Sequence, residues 1–228
     1  MILVFDLDDT LYDESTFVLS GFKAVARYLA EKFNLDFDQI LMKLKDILDV
    51  QGRGTIFDTL LRELGLFNSE LLSDCVSVYR GHTPTIEPYF DSMATLELYQ
   101  DMPKYLVTDG NPSVQAKKVE ALGLAKYFQG IYYTWTFGIE FAKPSVSCFE
   151  MICNLERAAL SDIMYVGDDP AKDFVNLRTH GAITVRVMTG RFSNVIAKNE
   201  FDAEFRIARI GDLKPYNLVE LHRKAGQN

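Results

Sequence analysis

Cysteine is scarce in this chain of 228 residues: Cys75, Cys148 and Cys153 are all there is, and no two stand in a CxxC spacing. An odd count without paired spacing excludes a disulfide framework or a zinc site as the organising feature and leaves three small buried hydrophobes. Long apolar runs are missing too. The first, Ile2-Leu3-Val4-Phe5, stops at Asp6, far short of the roughly 18 residues a bilayer span needs, and no basic segment precedes it as in a secretory leader. Basic runs are also absent: 24 Lys and Arg face 32 Asp and Glu, a net charge of −8. Such a balance repels nucleic acid phosphates and excludes a nucleic acid polymer as partner. The chain has no internal repeat and no low-complexity segment. The expectation is a cytoplasmic protein with no membrane partner.

What is present is material for a core. Hydrophobic residues make up 48%, with 16 Phe and 11 Tyr, which excludes the disordered class. After the apolar run at 2–5, which reads as a central strand of a parallel sheet, residues 15–83 follow a helical pattern broken at Gly52 and Gly54 and again at Gly65. From Pro84 onward, short apolar runs (Tyr105–Val107, Ile131–Tyr133, Ile163–Val166, Ile183–Val187) alternate with helical stretches. That alternation predicts βαβ units. The expected fold is α/β: a Rossmann-like parallel sheet with helices on both faces, made of residues 1–12 and 85–228, with a helical cap at 13–84 inserted after the first strand, over the carboxyl edge of the sheet. Start signals mark three helices: Asn111-Pro112 with Gly123 as stop, the segment after Lys143-Pro144, and Asp169-Pro170 with Gly181 as stop.

Four segments carry chemistry, each at the end of a predicted strand, where open α/β sheets bind ligands. In Asp6-Leu7-Asp8-Asp9-Thr10, alternation along an extended strand sends Asp6 and Asp8 to one side. Two carboxylates there repel each other unless a cation intervenes, and the pair suits one nucleophile and one proton carrier. Thr108, followed by Asp109-Gly110-Asn111 at a helix start, offers a hydroxyl and N–H groups to a phosphate. Lys143 precedes a helix N-terminus, where the positive end of the dipole calls for a compensating anion. In Gly167-Asp168-Asp169-Pro170-Ala171-Lys172-Asp173, Asp169 reads as the N-cap and Asp173 lies one turn into the helix. Clustered hard oxygen ligands of this kind suit Mg²⁺.

Taken together and in this order, DxDxT, a Thr after a strand, Lys-Pro and GDxxxxD resemble the haloacid dehalogenase superfamily of phosphohydrolases, and the insert between the first two motifs resembles its subfamily with a helical C1 cap. The resemblance implies that Asp6 attacks phosphorus and forms an aspartyl-phosphate, and that Asp8 protonates the leaving oxygen and then activates water. Thr10 would help orient Asp8, while Thr108, with Asp109 beside it, and Lys143 would bind the phosphoryl oxygens. Mg²⁺ would be held by Asp6, the main-chain carbonyl of Asp8, and Asp168, with Asp169 and Asp173 in support. Dehalogenases of the superfamily lack the second acid, so Asp8 favours a phosphorus centre.

A loop between cap helices reads the substrate in such relatives. Here Gln51-Gly52-Arg53-Gly54-Thr55 is the match, and Arg53 is expected to contact a carboxylate or second phosphate on the leaving group. Tyr12 either lines the entrance or packs at the hinge. A capped site favours a small phosphorylated metabolite, of the sugar phosphate or nucleotide class. Two other readings share the ingredients. A phosphosugar mutase has the same core with a different cap. A non-hydrolytic phospho-switch gathers similar residues, but carries its acids on separate strands. The oligomeric state, monomer or homodimer, is left open.

Overall fold

The computed structural model describes residues 1–214; the last fourteen positions of the expected core, 215–228, lie outside them. In chain order the elements are β1 (Ile2–Phe5), α1 (Glu14–Phe33), α2 (Phe37–Gln51), α3 (Ile56–Glu63), α4 (Ser69–Gly81), α5 (Ser92–Leu98), β2 (Lys104–Thr108), α6 (Pro112–Ala121), β3 (Gly130–Tyr133), α7 (Ser147–Glu156), β4 (Ile163–Gly167), α8 (Val175–Thr179), β5 (Ile183–Val187) and β6 (Phe205–Ile207). The chain forms two compact units, one of Met1–Glu14 with Ile86 onward, the other Ser15–Thr85.

The first unit is an α/β layer around a six-stranded sheet in the order β3-β2-β1-β4-β5-β6, with every pairing parallel. Strands β1, β2, β4 and β5 are buried along their whole length, as parallel strands covered on both faces must be; they are mostly apolar, and the polar members Lys104, Thr108, Thr184 and Arg186 are buried with them. One core layer joins Ile2 and Val4 of β1, Tyr105 and Val107 of β2, Ile163 and Tyr165 of β4, and Cys148, Phe149 and Ile152 of α7. The order reverses between β1 and β4, since the chain runs from β1 outward to β3 and returns to β4. Their carboxyl ends, Asp6 and Asp168, flank that switch point, the place where such sheets bind ligands.

Helix α6 starts as its sequence dictates: Asn111 accepts from the N–H groups of Ser113 and Val114, and Pro112 occupies the first helical position. The segment after β4 departs from expectation. Asp169-Pro170 opens a turn, in which Lys172 N–H and Asp173 N–H return to the Asp169 carbonyl, and α8 begins only at Val175. Asp173 precedes the helix because its carboxylate is committed to the loop, accepting from the N–H groups of Asp168 at 3.2 Å and Asp169 at 2.9 Å. Strand β6 is an element that periodicity missed: three residues with Arg206 at its centre carry no apolar run.

The second unit is four helices, α1–α4, around Phe22, Val25, Leu29, Leu44, Leu60, Leu61 and Cys75. Asp36 caps α2 through Gln39 N–H and Asn68 caps α4 through Leu71 N–H. Gly52 and Gly54 take φ +70° and +131° between α2 and α3, values that favour glycine, and Arg53 between them is exposed. Among the described residues no helix is long and apolar enough to cross a membrane.

Candidate active site

Four loops at the carboxyl ends of β1, β2 and β4 and after β3 supply the site. Strand β1 makes its last ladder bond where Asp6 N–H donates to the Val166 carbonyl, and the chain then turns, with Leu7 carbonyl accepting from Thr10 and Leu11 N–H groups. Asp6 and Asp8 therefore lie past the strand and do not share one face in the expected way. Their carboxylates have separate partners.

Asp6 is buried and its Oδ1 meets Lys143 Nζ at 2.8 Å. Lys143 Nζ also meets Asp173 Oδ1 at 2.7 Å and donates to Tyr165 Oη at 2.9 Å. These contacts commit all three ammonium donors. Loss of hydration in the interior raises the Asp6 carboxyl to about 7, against the Lys143 charge that lowers it and with Asp173 adding to the rise. Burial likewise opposes the charge on Lys143, but Asp173 and Asp6 outweigh it and hold the ammonium well above its ordinary value. Asp173 moves the other way: burial would raise it, and Lys143 and Lys172 bring it below the usual carboxylate range. This is the anion that Lys143 required.

Asp168 is buried, and among the described residues no lysine or arginine forms an ion pair with it. Desolvation, with Asp173, Asp6 and Asp9 close by, raises it to about 10. One carboxylate oxygen from each of Asp6, Asp168 and Asp173 lies within 4.8 Å of the others. Three hard oxygens this close, two of them acids with raised proton affinity, fit a divalent cation such as Mg²⁺. Asp173 is the most committed of the three, bound to Lys143 and two backbone N–H groups, and Asp6 also meets Lys143 through Oδ1.

Asp8 is partly buried and held by three donors. Lys118 Nζ stands 2.7 Å from Oδ1, Tyr12 Oη donates to Oδ1 at 2.5 Å, and Gln115 Nε2 donates to Oδ2 at 2.9 Å. Burial would raise its pKa, but Lys118 with the hydrogen bonds of Tyr12 and Gln115 lowers it below the ordinary value. Thr10 does not orient Asp8: its buried Oγ1 has no hydrogen-bond partner among the described residues, because the turn aims Asp8 toward α6. Tyr12 is the residue that does so from the first loop. It is fully buried, and burial together with the Asp8 charge raises its hydroxyl far above its usual value.

Thr108 ends β2, buried, with Oγ1 2.6 Å from Gln115 Nε2. Asp109 turns its carboxylate away from an anion-binding role: Oδ1 accepts from Thr134 Oγ1 at 2.8 Å and Lys143 N–H at 3.2 Å, and Oδ2 lies 3.5 Å from Lys172. An acid can only accept here, so its side chain fixes the Lys143 loop instead of donating to phosphate. Asp169 is buried and accepts from Ala171 N–H. Arg53 belongs to the helical unit.

Sequence reasoning passed over Gln115, Lys118 and Tyr165. The first two stand one turn apart on α6, on a face shared with buried Val114 and Val119. A polar pair on an otherwise buried face is the signal that marks them. Tyr165 sits inside an apolar run and carries no such mark.

A family model described as haloacid dehalogenase-like hydrolase matches residues 1–180. A protein named glyceraldehyde 3-phosphate phosphatase from Methanocaldococcus jannaschii is 30% identical over 202 residues, covering 85% of this chain and 87% of that one. The N-acylneuraminate-9-phosphatase of Rattus norvegicus is 27% identical over 184 residues, 72% of each chain. Among solved structures, the HAD-hydrolase YfnB from Bacillus subtilis, bound to magnesium, superposes with a TM-score of 0.66 at 19% identity over 96% of this chain and 97% of that one. The chain belongs to the haloacid dehalogenase-like hydrolase family.

Proposed function

We propose that this phosphoric monoester hydrolase removes phosphate from a small sugar phosphate, of the three-carbon aldose phosphate kind or a larger acidic sugar, through an aspartyl-phosphate on Asp6. The observation that carries the reading is the division of the two acids of one loop. Asp6 is buried against Lys143 and beside Asp168, while Asp8 is held apart by Lys118, Tyr12 and Gln115. That division supports a nucleophile in Asp6 and a proton carrier in Asp8.

In this reading Lys143 occupies Asp6 Oδ1 and leaves Oδ2 to attack phosphorus in line with the leaving oxygen. The P–O bond to the sugar breaks, and the leaving oxygen takes a proton from Asp8. That proton enters with the monoanionic ester, whose second ionisation lies near about 6. Asp8, again a carboxylate, takes a proton from water as it attacks the aspartyl-phosphate and regenerates Asp6. Thr108 would bind one phosphoryl oxygen, and Lys143 would exchange one of its present partners to bind another. Asp6, Asp168 and the Asp8 main-chain carbonyl would hold Mg²⁺, which when bound neutralises charge on the acids and the phosphoryl group. We assign the helical unit the part of a specificity-reading cap, with Arg53 recognising an anionic or carbonyl group of the substrate. In that case Arg53→Ala raises KM and spares kcat.

The test is phosphate release from a panel that includes glyceraldehyde 3-phosphate, other sugar phosphates and nucleoside monophosphates, with Mg²⁺ and with EDTA, for wild type and Asp6→Asn. Turnover that needs Mg²⁺ and disappears in Asp6→Asn is expected, highest on sugar phosphates. Undiminished turnover by Asp6→Asn would sink the mechanism, and a preference for nucleotides would sink the substrate class.

A further inference from the structure

We propose that Gln115 is a positioning residue that sets the direction of the Thr108 hydroxyl, so that its single proton is presented to the phosphoryl group. The inference rests on the phosphoryl-transfer reading above and adds to it a residue outside the four motifs.

The Gln115 side chain is 2% exposed, so its amide must find partners within the protein. Nε2 lies 2.9 Å from Asp8 Oδ2 and 2.6 Å from Thr108 Oγ1. The network decides which end of the amide faces them: turned over, Oε1 would meet the Asp8 carboxylate acceptor to acceptor. With Nε2 facing, one N–H goes to Asp8 and the other to Thr108. An amide nitrogen accepts nothing, so Thr108 Oγ1 must be the acceptor of this bond. Its own proton is then excluded from the Gln115 side and points elsewhere.

A threonine hydroxyl is otherwise a free rotor that can present a lone pair to an anion as readily as a proton. Fixing the proton in advance is what electrostatic preorganisation requires, because no reorientation is left to be done in the transition state. The loop helps to hold the amide. Gly110 has φ +127°, and a Cβ there would come within 3.5 Å of Gln115 Cδ, so the 109–111 turn folds directly over it. The same amide links the proton carrier Asp8 to the phosphoryl-binding Thr108, while Tyr12 and Lys118 hold Asp8 independently of Gln115.

A double-mutant cycle tests this. Gln115→Met, Thr108→Val and the double variant are compared with wild type in p-nitrophenyl phosphate hydrolysis with Mg²⁺ and in competitive inhibition by inorganic phosphate. Loss of a preorganised donor in Thr108→Val is expected to lower kcat by about 100-fold. Gln115→Met, which frees the rotor, is expected to lower kcat by about 10-fold and to weaken phosphate inhibition severalfold. Because Gln115 acts through Thr108, the double variant should fall within about threefold of Thr108→Val alone. A full multiplicative loss, about 1000-fold, or unchanged phosphate inhibition in Gln115→Met, overturns the proposal.

Should Gln115→Met fail to fold, Gln115→Leu serves in its place. It too removes the amide donor, puts no charge beside Asp8 and predicts the same non-additivity. An Asp6→Asn control separates the two levels. If it retains turnover, the phosphoryl-transfer reading has failed; if it is inactive while the cycle is additive, only the role of Gln115 has failed.

Discussion

Replacing Arg186 by Met perturbs the network that stands behind the second half of the site. Arg186 lies in β5 and is fully buried. Its Nε donates to the Asp168 carbonyl at 3.2 Å, Nη1 to both Asp202 oxygens at 3.3 and 3.2 Å, and Nη2 to the carbonyls of Phe192 at 2.6 Å and Val195 at 3.1 Å. The methionine keeps most of the volume and removes every donor. Asp202 would keep Arg206 and the Ala203 N–H, so the loss falls at the low end for breaking a buried ion pair, about 3 kcal/mol. For a chain of this size that lowers Tm by roughly 6–12 °C. The only tryptophan, Trp135, lies in the same α/β unit, so its fluorescence reports the unfolding of that unit by itself. The freed Asp168 carbonyl would also loosen the loop of Asp168, a proposed metal ligand, and the Mg²⁺ concentration needed for half-maximal thermal protection should then rise. A Tm shift under about 2 °C would refute the reasoning, since that is less than 1 kcal/mol.

Metal and pH are linked through Asp6, raised to about 7, and Asp168, raised to about 10. A carboxyl whose folded pKa exceeds its unfolded value contributes stability that is present below the unfolded pKa and lost as pH rises through the folded one. The metal-free protein should therefore lose Tm between about pH 5 and about pH 8, and Mg²⁺ should raise Tm more at the upper end; equal protection at both ends would count against a metal held by these acids. Gly190→Ala forces a left-handed residue, φ +64°, and sets a Cβ 2.1 Å from Asp9 Cγ, where Thr189 and Arg191 clip the loop after β1. It should cost about 2 kcal/mol or more in chemical denaturation and lower kcat, and wild-type stability would contradict the clip. Burial pushes the thiols of Cys75 and Cys148 up to about 11, so both should resist a disulfide reagent in native protein at about pH 8 and react once denatured; rapid native labelling would contradict this.

Much of this molecule was legible in the order of its residues, for a physical reason. Strands of a parallel sheet are buried on both faces, so 2–5, 105–107 and 163–166 are apolar runs, and the polar residues at their ends face the ligand edge; 183–187 is buried as well but holds Thr184 and Arg186. Asn111-Pro112 fixed the start of α6 through local backbone chemistry alone. Asp6, Thr108 and Asp168 could be named as candidates in advance because each stands where an apolar run stops, and Lys143 because it precedes a helix start. What the chain order could not show is which partner each side chain takes, since that depends on residues far apart in sequence. Lys118 reaches Asp8 across 110 positions and Arg186 reaches the carbonyl of Asp168 from the neighbouring strand. The same holds for Asp173, whose bonds to the backbone of Asp168 and Asp169 delay α8 and override a good local cap signal. Thr10, chosen by position, lost its expected role to Tyr12, Gln115 and Lys118 because only the packed loop determines where Asp8 points.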